Sequence, residues 1–465
     1  MTTSAEAILA RNATSGGQWS RRAQELASRA ILDTMAVGIG GSASDQARLA
    51  AATVHPTAPG PCELSGPWTD PNAYGILDAA YLAGTAAHAL DWDDYMHPMH
   101  GHASAVLLGA LFPLAQSVNA DGAALVGAYL AGYQVDWLVS LAMSHSHYGR
   151  GWHATSTLGV LGAAAAASKL LGLTPGQAGH ALGVAASSAS GIRVNFGTTT
   201  KAFHAGSAAR GGVQAALLAR AGATSSPNWL TGPAGMMETL GSEHPPHEAA
   251  QILASASAEG RHGIEAPWGL VQKPYACCGS VHAAIEALLT LLKNDGIDSR
   301  DVQMITAHVD PHVTAIMRHG HPEDSHQARY SPTWALAAAA TDGHAGPQQF
   351  SDAALMRGEI HALRERVRVV PDLVVDHDER FAAEVEVQTA AGTSVLRLSE
   401  ASGHPRRPMS DEDLDQKALA ALQLACTEDK ARALLPVLRT LDARLVRDVA
   451  DVIRDSVRVC ATVAT

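Results

Sequence analysis

The sequence predicts a mostly α protein with a large all-helical bundle domain and a smaller α+β lid domain. Ala-rich segments with helical periodicity fill the first 265 residues, β-branched and alternating segments cluster between residues 302 and 399, and helical patterns return after residue 410. A chain of 465 residues exceeds one ordinary core. We therefore predict an all-helical domain from residues 1–265 and 405–465, and an α+β lid domain from residues 266–404.

The helical segments are marked by apolar side chains that recur every three or four residues. In the segment 18–40 this period runs from Leu26 to Met35 and ends at glycines. Thr174 and Pro175 place a capping residue and a proline at the start of another helix. Similar patterns predict helices at residues 74–90, 103–119, 121–143, 155–171, 175–190 and 203–221. Because small residues dominate these segments, the helices can pack closely.

The second half of the chain carries the strand patterns. Alternating or β-branched residues predict strands at 302–309, 366–370, 382–389 and 393–399, and Ala390-Ala391-Gly392 predicts a hairpin between the last two. Helices are expected at 280–293 and 330–340. A capping box at Ser410–Asp413 then opens a helical tail that continues near 428–438 and 442–456. We expect this tail to pack on the first block, with the active site between the two blocks.

Composition and charge exclude several classes of protein. The net charge of −12 and the pI near 6.0 argue against a nucleic-acid partner. The N-terminal residues lack the charged start and apolar core of a signal peptide, and apolar stretches such as 103–115 are too short to span a bilayer. The cysteines suggest no disulfide framework; they are Cys62, Cys277, Cys278, Cys426 and Cys460. We expect a soluble cytoplasmic protein with no membrane partner.

Residues 88–104 are the most informative segment because they crowd four histidines and three aspartates into a chain with only 17% charged residues. Carboxylates beside imidazoles shift one another's pKa values, and such groups gather where protons are moved. Further polar islands lie at 151–157, 197–204 and 273–282. The four segments together indicate an enzyme that transfers protons on a small anion.

His102 and His153 are the candidates for general acid and base, because imidazole titrates near neutral pH. Each precedes an Ala/Ser/Thr-rich helix, whose positive end favours a neutral imidazole and an anion. Lys201 and Lys273 are candidate carboxylate clamps that would stabilise enolate-like charge. The alternatives are hydrogen-bonded core histidines and exposed surface lysines.

The remaining candidates have less certain roles. Asp91 could orient His102 or bind a substrate hydroxyl, whereas Asp93 and Asp94 could cap a helix or hold a turn. Cys278 could take part in proton transfer or be a small buried hydrophobe. Residues expected to contact substrate beside these are Tyr95, Asp93, His204 and Thr155.

Three other classes of protein are alternatives to an enzyme that needs no cofactor: a metalloenzyme, a pyridoxal phosphate enzyme and a binding protein. The spacings of His97, His100 and His102, and of His145 and His147, match no standard metal-ligand set. A pyridoxal phosphate enzyme is disfavoured because no glycine-rich phosphate loop is apparent, and no Rossmann fingerprint, P-loop or nucleophile elbow is present. A binding protein that keeps the anion site without the chemistry stays open. We predict no metal and no cofactor.

Four motifs in order resemble the MmgE/PrpD family: His-x-x-Asp-x-Asp-Asp with a later His-x-Ser (88–104), Gly-Trp-His-x-Thr (151–155), Gly-Thr-x-x-Lys-x-x-His-x-Gly-x-Ala-Ala (197–209) and Lys-Pro-Tyr-x-Cys-Cys (273–278). The resemblance covers essentially the whole chain. The family includes 2-methylcitrate dehydratases, cis-aconitate decarboxylases and iminodisuccinate epimerase. It implies a homodimer of helical and lid domains, no metal or organic cofactor, and a site that contains Asp91, His102, His153, Lys201 and Lys273.

The chemistry that this resemblance implies is proton transfer at a carbon next to a carboxylate of a small di- or tricarboxylate. Decarboxylase members carry a histidine five residues after the lid lysine and a lid tyrosine further on. This chain has Cys278 at the first position and Ala-Ile-Met-Arg-His at 315–319. A lyase of dehydratase or decarboxylase type is favoured by the number of such members. An epimerase, or an inactive carboxylate-binding protein, stays open.

Overall fold

The computed structural model describes residues 3–15, 19–55, 74–258, 262–375 and 381–461. The helices, in chain order, are α1 (Ala5–Thr14), α2 (Arg21–Gly41), α3 (Asp45–Ala51), α4 (Ile76–His88), α5 (Ala103–Ser117), α6 (Gly122–Gly149), α7 (Ala154–Thr157), α8 (Gly159–Leu170), α9 (Pro175–Ala186), α10 (Thr200–Arg220), α11 (Met236–Leu240), α12 (Ala249–Ala258), α13 (His282–Asn294), α14 (Pro311–Ile316), α15 (Ser325–Ala328), α16 (Pro332–Asp342), α17 (Asp352–Leu355), α18 (Gly358–Arg364), α19 (Asp411–Leu422), α20 (Glu428–Arg439) and α21 (Val446–Ala461).

The strands form one small sheet and one short pair. They are β1 (Tyr95–Met96), β2 (Leu270–Val271), β3 (Val302–Val309), β4 (Val367–Val370), β5 (Ala383–Thr389) and β6 (Gly392–Leu398). The four-stranded sheet has the order β4-β3-β5-β6, with β4 parallel to β3 and the other pairs antiparallel. The β5–β6 hairpin is confirmed, because Thr389 pairs with Gly392 across the two-residue turn. A mostly α fold with a smaller β part is therefore confirmed.

Local sequence signals explain where several helices begin. Thr174 and Ser410 both form the expected capping boxes. The helix expected at 203–221 begins earlier, at Thr200, because the polar residues before it carry no apolar period. The helix expected at 155–171 is divided at Leu158 into α7 and α8. The earlier start of α10 places Lys201 in its first turn.

The core of the helical block is made of closely packed helices with small side chains. Helix α10 packs against α4, α5 and α8, and α5 also packs against α4 and α8. Where α4 crosses α5, a Cβ added at Gly109 would lie only 2.6 Å from the Gly84 Cα. Such crossings need glycine because two backbones meet, which fixes the two helix ends that carry His88 and His102.

The helical tail and the sheet meet the first helical block at different places. Helix α19 packs on α2, α21 packs on α5, and α13 covers β5 and β6. The antiparallel pair of Tyr95–Met96 with Leu270–Val271 joins the block to the segment before Lys273. The division into domains at residues 265 and 405 stays a prediction. Within the described ranges, no helix has both the length and the hydropathy needed to cross a membrane.

The glycine contact predicts a clear difference between two Gly→Ala changes. Gly109→Ala should destabilise the fold, because overpacking typically costs about 1–3 kcal/mol and exceeds the gain in helix propensity. The matched control is Gly127→Ala on α6, where the new Cβ meets no heavy atom within 4 Å. That change should stabilise by about 0.5–1 kcal/mol. Urea unfolding of both variants measures the difference, and equal stabilities would contradict the close crossing.

Candidate active site

The loop between α4 and α5 forms the centre of the candidate site. His88 is the last residue of α4, and His102 is the N-cap of α5. Between them Asp91 and His100 adopt left-handed backbone conformations, with φ of 50° and 51°. This region is costly for residues other than glycine, and such strain persists where the surroundings hold it, often at functional sites. The loop is therefore held in a defined shape by its contacts.

Asp91 lies between two buried lysines. Its Oδ1 is 2.8 Å from Lys273 Nζ and 3.1 Å from Lys201 Nζ, and Lys273 also donates to the Asp91 backbone carbonyl. All three side chains are nearly inaccessible to solvent. The three residues come from distant segments, so the packing of the chain creates this triad.

Charge in the triad is set by competition between burial and ion pairing. Burial alone would raise the pKa of Asp91, but the Lys201 and Lys273 ammonium groups hold this pKa well below its ordinary value. Burial lowers the pKa of Lys201, with Asp91 opposing. For Lys273 burial also acts downward, but Asp91 and Asp93 outweigh it and raise the pKa. The triad thus contains one carboxylate, which is paired with two amines.

Asp93 bridges two imidazoles. Its Oδ2 lies 2.8 Å from His88 Nδ1 and 3.1 Å from His102 Nδ1. Asp91, for which the sequence left open a role in orienting His102 or in binding a substrate hydroxyl, is 3.8 Å from His102 Nε2. Both carboxylates are within ion-pair distance of His102, and Asp93 is the nearer of the two. The bridge leaves Nε2 of His102 on the side of the lysines.

Asp93 and Asp94 are not the helix caps or turn residues that the sequence suggested. Both carboxylates are fully buried, and Asp94 Oδ2 accepts a hydrogen bond from Ser104 Oγ at 2.6 Å. Burial raises the pKa of Asp94 well above its ordinary value. In Asp93 burial acts in the same direction, but His102 and His88 lower the pKa well below that value. Neighbouring aspartates therefore have opposite electrostatic environments.

His153 lies on the other side of His88 and is held neutral. It is the N-cap of α7, and its Nδ1 is 2.9 Å from Nδ1 of His204. Burial, Lys201 and the neighbouring imidazoles lower the pKa of His153 well below 6.5, and burial lowers that of His204 to about 4. Thr155 contacts the protein, since its Oγ1 accepts a hydrogen bond from the His102 backbone N–H at 3.0 Å.

Cys278 and Tyr95 line a cavity that opens beside His102. Its other lining residues include His97, His100, Tyr148, Ile316 and Phe381. Cys278 Sγ is 3.2 Å from Ser280 Oγ, and burial raises the pKa of its thiol. Ile316 comes from the segment 315–319, so an aliphatic side chain contributes to this wall.

One grouping in the described part of the chain could hold a metal ion. Donor atoms of His88, Asp93 and His102 lie within 4.8 Å of one another. Of these three residues, only His102 belongs to a histidine spacing that the sequence offered as a ligand set, that of His97, His100 and His102. A hydrogen bond between Asp93 and His88 and a 3.1 Å ion-pair contact between Asp93 and His102 account for the grouping. The absence of a metal cofactor stays a prediction.

Residues 13–249 match the MmgE/PrpD N-terminal domain, and residues 275–443 match the MmgE/PrpD C-terminal domain. The chain belongs to the MmgE/PrpD family. The family resemblance drawn from the four motifs is thereby confirmed. The N-terminal match ends at residue 249 and the C-terminal match begins at residue 275. Asp91 and Lys201 therefore lie in the N-terminal match, and Lys273 lies just before the C-terminal one.

Several MmgE/PrpD relatives carry the name cis-aconitate decarboxylase. The human protein is 27% identical over 92% of this chain and 89% of its own length. The Aspergillus terreus protein is 26% identical over 90% of this chain and 89% of its own length. The mouse protein is 28% identical over 78% of this chain and 75% of its own length.

Sequence reasoning missed three residues around Lys201. Its Nζ lies 5.6 Å from the ring centroids of both Phe196 and Tyr330. Burial and Asp91 raise the pKa of Tyr330 well above its ordinary value. Arg329 precedes Tyr330 and lines the same cleft as Lys201. The available sequence signal for these residues was a cation followed by an aromatic residue, Arg329 and Tyr330, just before the start of α16. Nothing in the local sequence indicated that they lie near Lys201.

The buried His88 predicts how stability depends on pH. Burial lowers the pKa of His88 to about 4, although Asp93 acts in the opposite direction. Between pH 6.5 and about 4, therefore, the His88 imidazole binds a proton only in the unfolded chain. Stability should fall as pH falls through this window, by about 1.4 kcal/mol per pH unit for one proton. His88→Gln should make the slope of unfolding free energy against pH shallower by about one proton. His321→Gln, at an exposed histidine, is the control. An unchanged slope in His88→Gln would contradict a neutral His88.

Proposed function

We propose that this protein is a lyase that acts on a small di- or tricarboxylate without a metal or organic cofactor. Proton transfer at the carbon next to a carboxylate would accompany loss of water or carbon dioxide. The observation that carries the proposal is the buried Asp91–Lys201–Lys273 triad beside His102. Two amines against one carboxylate favour binding of a further anion, and buried donors stabilise negative charge strongly.

Lys201 is the amine that is available to substrate. Lys273 is held by both the carboxylate and the backbone carbonyl of Asp91. Lys201 Nζ is fully buried and makes no hydrogen bond within the described part of the chain apart from its ion pair with Asp91. A substrate carboxylate at Lys201 would complete its hydrogen bonds. Enolate-like charge on that carboxylate would then be stabilised in the transition state.

His102 is the proposed proton-transfer residue. Its Nδ1 is fixed by Asp93, and its Nε2 lies within 4 Å of the same Asp91 oxygen that Lys201 contacts. Its side chain is 14% exposed, so it can reach a bound molecule. His153, which is neutral and deeper, would serve as a second acid or base from the opposite side of His88.

The relatives support lyase chemistry over other reactions of the family. The human and Aspergillus terreus decarboxylases align with about nine-tenths of this chain. We also propose a cytoplasmic homodimer whose domains are divided at residues 265 and 405. The gap between the N-terminal and C-terminal family matches, from residue 249 to residue 275, supports the boundary at residue 265.

An epimerase is the second candidate because Cys278 lines the same cavity as His102. A thiol and an imidazole on opposite faces of one carbon could remove a proton from one face and return it to the other. The raised pKa of the thiol makes Cys278 a proton donor at neutral pH and weakens it as a base. This electrostatic environment favours the lyase.

Proton NMR in deuterated water tests the proposal with citrate, 2-methylcitrate, cis-aconitate and iminodisuccinate. We expect vinyl signals or carbon dioxide from a tricarboxylate. Lys201→Met should lower kcat/KM at least about 100-fold, as expected for loss of a donor to developing negative charge. Lys293→Met, at an exposed lysine, is the matched control and should keep full activity. If Lys201→Met retains more than a tenth of the activity, the assignment of Lys201 is wrong.

Cys278→Ser distinguishes the two reactions. For a lyase we expect kcat to stay within about threefold, because the thiol contacts Ser280 and a serine hydroxyl of similar size can keep that contact. Deuterium that enters an unbroken substrate skeleton, together with a loss of more than 100-fold in Cys278→Ser, would instead identify an epimerase. A silent panel with intact binding would point to an inactive carboxylate-binding protein.

A further inference from the structure

A second cleft shares no lining residue with the Cys278 cavity. Lys201 and Asp91 form part of its wall, and the wall also contains Gln46, Thr198, His326, Arg329 and Tyr330. Gln46 and Thr198 come from the N-terminal family match, whereas Arg329 and Tyr330 come from the C-terminal match. The cleft is therefore a place where both matched parts of the chain can contact one molecule.

Among the residues that the structure describes, Arg329 forms no ion pair with a carboxylate of its own. Its Nε is fully buried and without a hydrogen-bond partner, and Nη1 makes only a long contact of 3.5 Å with the Ala89 carbonyl. The carboxylates that influence it are Asp91 and Asp352. Asp91 is already shared by two lysines, and Asp352 accepts a hydrogen bond from the Ser325 backbone N–H at 2.9 Å. Charged groups removed from water are normally paired, and in the described part of the chain the half-buried Arg329 has no carboxylate of its own.

The other polar groups of the cleft supply no negative charge. Gln46 Nε2 is 3.0 Å from His326 Nδ1, and burial lowers the pKa of His326, so that pair is neutral at pH 7. The Thr198 hydroxyl donates to the Asn195 carbonyl at 2.8 Å. The cleft thus combines an unpaired guanidinium with Lys201. A planar carboxylate suits this combination because guanidinium can donate two parallel hydrogen bonds to it.

We propose that Arg329 and Lys201 form a subsite for a second carboxylate of the substrate, remote from the carbon that reacts. This inference rests on the proposed function and narrows it: the substrate carries at least two carboxylates, and one of them enters the cleft between Gln46 and Arg329. Arg329 contributes to affinity and selects substrates by their distal carboxylate. Lys201 then contacts both ends of the bound molecule.

Isothermal titration calorimetry with two unreactive probes tests the subsite. Propane-1,2,3-tricarboxylate can fill both positions, whereas butyrate can fill only one. Arg329→Gln should weaken tricarboxylate binding at least about tenfold, the size of a lost charge-assisted hydrogen bond. Its affinity for butyrate should change less than about twofold. Arg329→Lys should recover part of the loss, because lysine keeps the charge without the planar pair of donors.

Turnover separates failure of the subsite from failure of the proposed function. With an active tricarboxylate, Arg329→Gln should raise KM at least about tenfold and leave kcat within about threefold. Turnover with an unchanged KM, equal weakening of both probes, or no binding of the tricarboxylate to the unmodified protein would each overturn the subsite. Selective tricarboxylate binding without turnover would keep the subsite and refute the lyase. If Arg329→Gln does not fold, the affinities for the tricarboxylate and for butyrate are compared between Arg329→Lys and Arg300→Gln. Arg300 is an exposed arginine and serves as the control.

Discussion

The ion triad of Asp91, Lys201 and Lys273 is the interaction on which the rest of the site depends. It ties together the α4–α5 loop, the first turn of α10 and the segment after β2. Loss of the carboxylate would leave two buried cations unpaired, which is far more costly than loss of a surface ion pair. The same excess of positive charge makes the site ready for an anion. Structural integrity and anion binding therefore have one physical origin.

The helical tail also contacts the α4–α5 loop. Lys417 on α19 pairs with Asp33 on α2 at 2.7 Å and donates to the Trp92 carbonyl at 2.9 Å. Trp92 lies between Asp91 and Asp93, so this contact fixes the backbone from which both carboxylates project. A buried ion pair adds little net stability against an apolar pair, but it specifies geometry. The tail thus takes part in the site even though it follows the sheet in the chain.

Rigid helix ends position the two catalytic candidates among the histidines. His102 and His153 each precede a helix, and glycine contacts such as Gly84 with Gly109 hold the helices of the block close together. Burial keeps His153 neutral by lowering its pKa, while His102, whose side chain is 14% exposed, lines the cavity beside Cys278. The cleft lined by Lys201 and Arg329 and the cavity lined by His102 then separate a binding end from a reacting end.

The sequence alone determined the helices, the hairpin, the capping boxes and the crowding of titratable groups at 88–104, because these depend on local period and spacing. It also determined the family, since the motifs are local. Only the tertiary structure decided that Asp93 lies closer to His102 than Asp91 does, and that Arg329 lies beside Lys201. Such partners depend on how helices pack: Arg329 contacts the Ala89 carbonyl across 240 positions of the chain. A local pattern encodes which face of a helix is buried, but it does not encode which distant side chain meets that face.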